Sequence, residues 1–293
     1  MQQIIPHLWY DTQAVEAAKW YVSIFEHSTI NRLSQLHDTP SGEVDTVDFT
    51  LDGVDFFAIS AGPFFALNSA ISLMVTCYSA EEVDRLYEKL GKGATIMMPL
   101  GAYPFSKRYV WFEDKYGLNW QLCYFETTEI MQKIRPVLLF GAENCGKAEE
   151  ALAFYQSVFP GTVPGYVNHY QPGEAPDQRA KTNYAELTLL GNQIVAMDHG
   201  VGGDELFNEA FSFMVLCDTQ EEIDYYWDKL SAVPEAEQCG WLKDKFGLSW
   251  QIVPRALNEL LDAATPDEAK RITEAFLNMK KLDIRALEAA KRG

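Results

Sequence analysis

Basic residues are scarce in this chain, and so are histidine and cysteine. Among 293 residues there are 24 Lys and Arg against 42 Asp and Glu, a formal charge of −18 and a sequence pI near 4.6. Nucleic acids and anionic membranes recruit a basic face, so neither is expected as a partner. The five cysteines are odd in number and show no CxxC spacing. That argues against a disulfide framework or a structural zinc, and for a reducing compartment. No apolar run approaches the roughly 20 residues of a membrane helix. The opening MQQIIPHLWYDTQ has no basic segment leading into an apolar one. A soluble, cytoplasmic protein is the expectation. A glycine-rich loop running from strand to helix is also missing. Its nearest candidate, LGKGA from Leu90, follows a helix and leads into a strand, the wrong context for a nucleotide.

What is present is repetition. WFEDKYGLNWQLCY (Trp111 to Tyr124) returns as WLKDKFGLSWQIVP (Trp241 to Pro254), with seven of fourteen positions identical. SLMVTCYSAEEVDRLYEKL (Ser72 to Leu90) returns as SFMVLCDTQEEIDYYWDKL (Ser212 to Leu230), with nine of nineteen identical. FTLDGVDFFAIS returns more faintly as LTLLGNQIVAMD, and YVSIF at Tyr21 as YQSVF at Tyr155. A period of this length means two homologous domains in tandem. They are expected over 1–125 and 134–254, with a linker at 126–133 and a helical extension at 255–293. At 47% hydrophobic and 13% aromatic, the composition supplies both with a core.

Periodicity sets the elements within a copy. IIPHLWY reads as a strand, and QAVEAAKWYVSIF carries its apolar residues at helical spacing. Strands follow over Thr29 to Leu36, Val44 to Leu51 and Val54 to Ser60, with a hairpin turn at Asp52-Gly53. The order then restarts: AISLMVTC as a strand, a helix opened by Ser79 and Glu82 as a capping box, and three more strands. The unit is strand–helix–three strands, twice per copy. Alternation along the last strand places Trp120, Leu122 and Tyr124 under the helices, and Asn119, Gln121 and Cys123 toward a cavity. In the extension, Thr265-Pro266-Asp267-Glu268 opens a helix whose Ile272, Ala275, Phe276 and Met279 form one apolar stripe.

The quoted motifs, together with IIPHLWYDTQAVEAAKWYVSIF, resemble the PhnB-like branch of the glyoxalase/bleomycin-resistance/extradiol-dioxygenase superfamily. This vicinal-oxygen-chelate branch is also labelled 3-demethylubiquinone-9 3-methyltransferase-like. The resemblance covers both copies and WLKDKFGLSWQIVP is its most specific part. It implies an α+β fold of tandem glyoxalase-like domains, each of two βαβββ modules. It also implies a U-shaped sheet around a pocket, often with a divalent metal held from the first, fourth, fifth and eighth strands. Those places hold His7, Phe57, Ser72 and Gln121 in the first copy, and Val137, Val195, Ser212 and Gln251 in the second. One imidazole, one amide and a hydroxyl suit a divalent ion poorly. No cofactor is therefore expected, with His7 as the sole plausible metal ligand.

The candidate pocket residues are His7, Trp9, Phe57, Ser72, Trp111, Gln121, Cys123 and Gln251. His7 is expected to share a pocket with Trp9, Ser72, Trp111 and Gln121, as the functional copy, while the second copy is largely structural. Cys123 reads as an inert pocket thiol, because no cation or helix start lies near it in sequence. His199, in MDHGVGG, reads as a loop residue. GKGATIMMPLGAYPFSKRYV, much longer than SAVPEAEQCG in the second copy, reads equally as a lid or as an extra strand plus a loop. Three function classes remain open: a small-molecule binding protein, a metal-dependent lyase, isomerase or dioxygenase, and a structural or protein-interaction module. A small-molecule ligand is the expected partner, and a monomer (an internal pseudo-dimer) or a homodimer the expected assembly.

Overall fold

The computed structural model describes residues 4–126 and 132–293, so most of the expected linker lies outside the described residues. The first module is β1 (Ile4–Tyr10), α1 (Ala14–Val22), β2 (Thr29–Thr39), β3 (Gly42–Leu51) and β4 (Val54–Ser60). The second is β5 (Ile71–Cys77), α2 (Ala80–Leu90), β6 (Thr95–Tyr103), β7 (Ser106–Glu113) and β8 (Asn119–Tyr124). The third repeats the pattern with β9 (Ile134–Phe140), α3 (Ala148–Val158), β10 (Val163–His169), β11 (Thr182–Leu189) and β12 (Asn192–Asp198). The fourth is one strand short: β13 (Phe211–Cys217), α4 (Gln220–Leu230), β14 (Trp241–Lys243) and β15 (Ser249–Pro254). Three helices follow, α5 (Arg255–Asp262), α6 (Pro266–Leu277) and α7 (Ile284–Arg292).

Local chemistry accounts for the boundaries. Ser79 and Thr219 accept from the amides of Glu82 and Glu222, capping α2 and α4. Thr265 and Glu268 form a complete capping box at α6. Asp52 and Gly53 both have positive φ, the two-residue turn that fits the twist of the β3–β4 hairpin. The long GKGATIMMP segment resolves as a strand: β6 pairs antiparallel with β7 at the edge of its sheet.

The two sheets do not follow the two copies. One has seven strands in the order β14-β15-β13-β1-β4-β3-β2, and the other eight in the order β10-β11-β12-β9-β5-β8-β7-β6. The first module of each copy is joined to the second module of the other, through antiparallel pairs β1–β13 and β5–β9. Each concave face is therefore composite. This corrects the expectation of one functional and one structural copy, because neither copy owns a pocket.

Convex faces and the helices α1–α4 share a single continuous core. Trp120 and Trp250 lie within it, as the alternation requires. Trp120 stacks on Phe25 at 5.4 Å, and Trp250 lies 5.3 Å from Phe159.

The repeated sentence is explained by its aspartates. Asp114, buried at the turn, accepts from Tyr21 Oη at 2.8 Å, Trp120 Nε1 at 2.8 Å, and the amides of Tyr116 and Leu118. Asp244 does the same for Tyr155, Trp250, Phe246 and Leu248. One carboxylate thus ties a helix, a strand and a turn together in each half. Gly117 and Gly247 supply the positive φ that closes the turn around it.

The C-terminal helices do not stand apart. Leu257, Ile272 and Leu287 pack with Met214 and Val253, against Ile5, Phe57 and Leu216 on the concave side of the seven-stranded sheet. Arg32 on β2 pairs with Asp262 at the end of α5. The backbone of Cys239 and Gly240 donates to the carbonyls of Met279 and Lys280, at 2.8 and 2.7 Å. The extension thereby takes the place beside β14 that β6 takes beside β7. Helix α6 ends at Leu277, so Met279 follows it instead of belonging to its stripe.

Candidate functional site

The structure divides the candidate residues between two faces. His7, Trp9, Phe57 and Gln251 lie on the seven-stranded sheet. Ser72, Trp111, Gln121 and Cys123 lie on the eight-stranded one. His7 and Gln121 therefore do not share a pocket. His7 is the register partner of Ser212 on one side and Phe57 on the other, so its cavity partner is Gln251. Sequence alternation assigned the faces and could not reveal which sheet each strand would join.

On the seven-stranded sheet one register line runs Lys243, Ser249, Ser212, His7, Phe57, Asp48, Arg32. The line beside it begins Trp241, Gln251, Met214, Ile5. Gln251 Nε2 donates to Ser212 Oγ at 2.9 Å. Two buried polar atoms on the first line, His7 Nδ1 and Ser249 Oγ, have no hydrogen-bond partner. A buried polar group left so costs about 1–3 kcal/mol. His7 stacks on Phe57 at 5.4 Å and meets the edge of Trp241 at 5.3 Å. From there aromatic rings lead outward: Trp241 to Trp9 at 6.2 Å, then Trp9 to Phe65 at 5.1 Å and to Phe64 at 6.5 Å. Phe64 is 66% exposed, whereas His7 is 1% exposed. Trp9 Nε1 is held by the carbonyl of Gly62 at 2.7 Å, and Lys243 pairs with Glu209 at the rim. The arrangement is an aromatic funnel ending on a neutral imidazole, with the C-terminal helices closing its far side.

Electrostatics reinforce that description. Burial lowers the pKa of His7 to about 3, so the ring is uncharged at neutral pH, with one nitrogen a donor and the other an acceptor. Asp48 is raised to about 6, mainly by burial and against the pull of Arg32. Trp241 and Ser249, absent from the candidate set, are the second-copy counterparts of Trp111 and Asn119. Carrying Trp111 across the repeat would have found Trp241, and carrying the cavity-facing Asn119 would have found Ser249.

On the eight-stranded sheet the same two lines hold different chemistry. Glu113, Asn119, Ser72, Val137, Val195 and Glu186 form one, and Trp111, Gln121, Met74 and Arg135 the other. Gln121 donates to Ser72 Oγ at 2.8 Å and accepts from Tyr109 Oη at 2.7 Å. Trp111 Nε1 donates to Asn119 Oδ1 at 3.1 Å. Cys123 is buried beside them, its thiol pushed up to about 11 by burial, which fits the inert role. His199 lies just beyond β12, its amide bonded to the carbonyl of Phe140.

A metal does not fit either face. Among the described residues no three His, Cys, Asp or Glu side chains gather as an ion would require. Beside His7 the nearest oxygens belong to serines and an amide already bound to Ser212.

The family model described as 3-demethylubiquinone-9 3-methyltransferase matches residues 2–123 and again 132–253. The chain belongs to this family. A Bacillus cereus PhnB protein carrying the same methyltransferase description is 37% identical, covering 42% of this chain and 100% of its own, with a TM-score of 0.40. Glyoxalase I from Zea mays is 12% identical over 88% of this chain and 96% of its own, at a TM-score of 0.55, a likeness of fold. No curated protein matches the chain. The doubled family match and the glyoxalase likeness of fold bear out the resemblance and the tandem glyoxalase-like architecture. The methyltransferase in the family's description finds no support in the chain itself. Gly91 and Gly93 lie between the end of α2 and the start of β6, the reverse of a nucleotide loop. No helix among the described residues is long and apolar enough to cross a membrane.

Proposed function

We propose that the chain binds a small, uncharged, aromatic hydrogen-bond donor, such as a phenol or an aromatic amine, on the seven-stranded sheet. The observation that carries this reading is the pair of unsatisfied atoms, His7 Nδ1 and Ser249 Oγ, at the foot of the Trp241–Trp9–Phe65 funnel. An imidazole lone pair accepts one hydrogen bond, and the rings offer edges and faces to a planar ligand. Binding is favoured over turnover because a general base works best with a pKa near the working pH, and His7 lies near 3. The donor set leads us to propose that no divalent ion resides there.

The test is a calorimetric titration with 4-methylphenol on wild-type protein and on His7→Leu, Gln251→Leu and Gln121→Leu. The expected result is one site per chain, weakened about tenfold or more by His7→Leu, which removes the acceptor, and unchanged by Gln121→Leu. Binding that ignores His7→Leu, or that depends on Gln121, would sink the assignment. Elemental analysis showing about one zinc, manganese, nickel or iron per chain would overturn the metal-free reading.

A further inference from the structure

We propose that the eight-stranded sheet holds a second binding site of opposite hydrogen-bonding character, which takes an uncharged carbonyl compound with an apolar body and is organised by Arg135. The two faces are related by the repeat, and their differences concentrate on the first strand of each copy. Val137 stands where the seven-stranded sheet has His7, and Arg135 where it has Ile5, opposite Met74 as Ile5 is opposite Met214. One face thus carries a buried imidazole and the other a buried guanidinium.

Arg135 is built in. Its side chain is 8% exposed. Nη1 donates to Tyr184 Oη at 3.0 Å and to Glu186 Oε1 at 2.8 Å, and Nη2 donates to Thr76 Oγ1 at 3.0 Å. Its Nε is buried with no partner. These three hydrogen bonds fix the guanidinium plane, so the unpaired N–H is held ready at a defined position. Met74, Met98 and Met197 cluster with Val137 and Val195 around it. Thioether side chains repack readily, so this apolar cluster can yield to a ligand of modest size.

Charge selects the ligand class. Glu186 already neutralises Arg135. A carboxylate or phosphate arriving here would add an uncompensated buried anion, in a chain whose formal charge is −18. A ketone, ester or amide oxygen accepts from Nε without that cost. The site shares no residue with the His7 funnel, so either assignment can fail while the other survives.

Two measurements on the full chain test this. A buried arginine gives a resolved Nε–H resonance. Titration with acetophenone should move the Arg135 resonance saturably, and Arg135→Lys, which keeps the charge and lacks Nε, should weaken binding about tenfold or more. His7→Leu should leave it unchanged. In wild-type protein with labelled methionine methyls, acetophenone ring protons should show cross-relaxation to Met74, Met98 or Met197 and none to Met214. An unmoved Nε–H resonance, contacts to Met214 instead, full binding by Arg135→Lys, or tighter binding of benzoate than of acetophenone would each overturn the proposal.

Discussion

Asp114 and Asp244 show what a single side chain can hold. Each carboxylate accepts from a tyrosine of the first helix of its copy, a tryptophan of the last strand, and two turn amides. Asp114→Ala would leave buried donors unpaired at about 1–3 kcal/mol apiece, partly relieved by relaxation. The expected loss is about 3–5 kcal/mol in urea unfolding, and a loss below about 1 kcal/mol would show that the turn stands without its hub. These residues were legible as a motif and illegible as a network. The sequence displays D, G and W at fixed spacing, but Tyr21 lies 93 positions from Asp114. His7 and Asp48 give a second residue-level test, because their shifts oppose each other. His7 falls from about 6.5 unfolded to about 3 folded, so the unfolded chain binds the extra proton and stability is lost as pH falls below about 6.5. Asp48 rises to about 6, so the folded chain binds the extra proton and stability declines as pH climbs from about 4 to 6. Relative to wild type, urea midpoints should therefore shift downward as pH rises from about 4 to 7 in His7→Phe and upward in Asp48→Asn.

At the scale of elements, the C-terminal helices are the part whose role sequence reading left open. Capping chemistry announced α6, and the apolar stripe demanded a partner, yet the stripe fits a neighbouring chain as well as its own. The structure supplies the partner: Ile272 is fully buried against the face that also carries Ile5 and Phe57. Ile272→Ala should cost roughly 2–4 kcal/mol, as a cavity in a packed interior does, and should lower the melting temperature. Because the helices close one side of the His7 funnel, the same substitution should also loosen 4-methylphenol binding. An unchanged melting temperature would mean that the helices rest on the sheet without supporting it. Strand β6 was foreseeable only as one of two readings, because a glycine- and proline-rich segment describes an edge strand as well as a lid. Edge position resolves it: Pro99 is tolerated where one side of the strand has no sheet neighbour.

The whole molecule is where sequence reading reached least far. Repeat, element order and helix-facing tryptophans all follow from local pattern. The partner of β1 does not, because an antiparallel neighbour from either copy satisfies the same hydrophobic alternation. Structure assigns it to β13, and from that one pairing the site changes membership, with His7 joining Gln251 instead of Gln121. A fragment of residues 1–125 should consequently expose β1 and β5 and recover partners by dimerising, β1 of one copy against β5 of the other. Light scattering would check this, and a stably folded monomeric fragment would count against it.

Exchange between the copies also sets the order in which the chain can be completed during synthesis. Leu8 pairs with Phe211, so β1 waits for a strand made much later in the chain. Until then the nascent chain carries an open sheet edge, which favours wrong partners in a crowded ribosomal neighbourhood. Long-range pairing of this kind is intrinsically slow. Refolding yield should therefore fall with protein concentration more steeply than it would for two domains that each close on themselves.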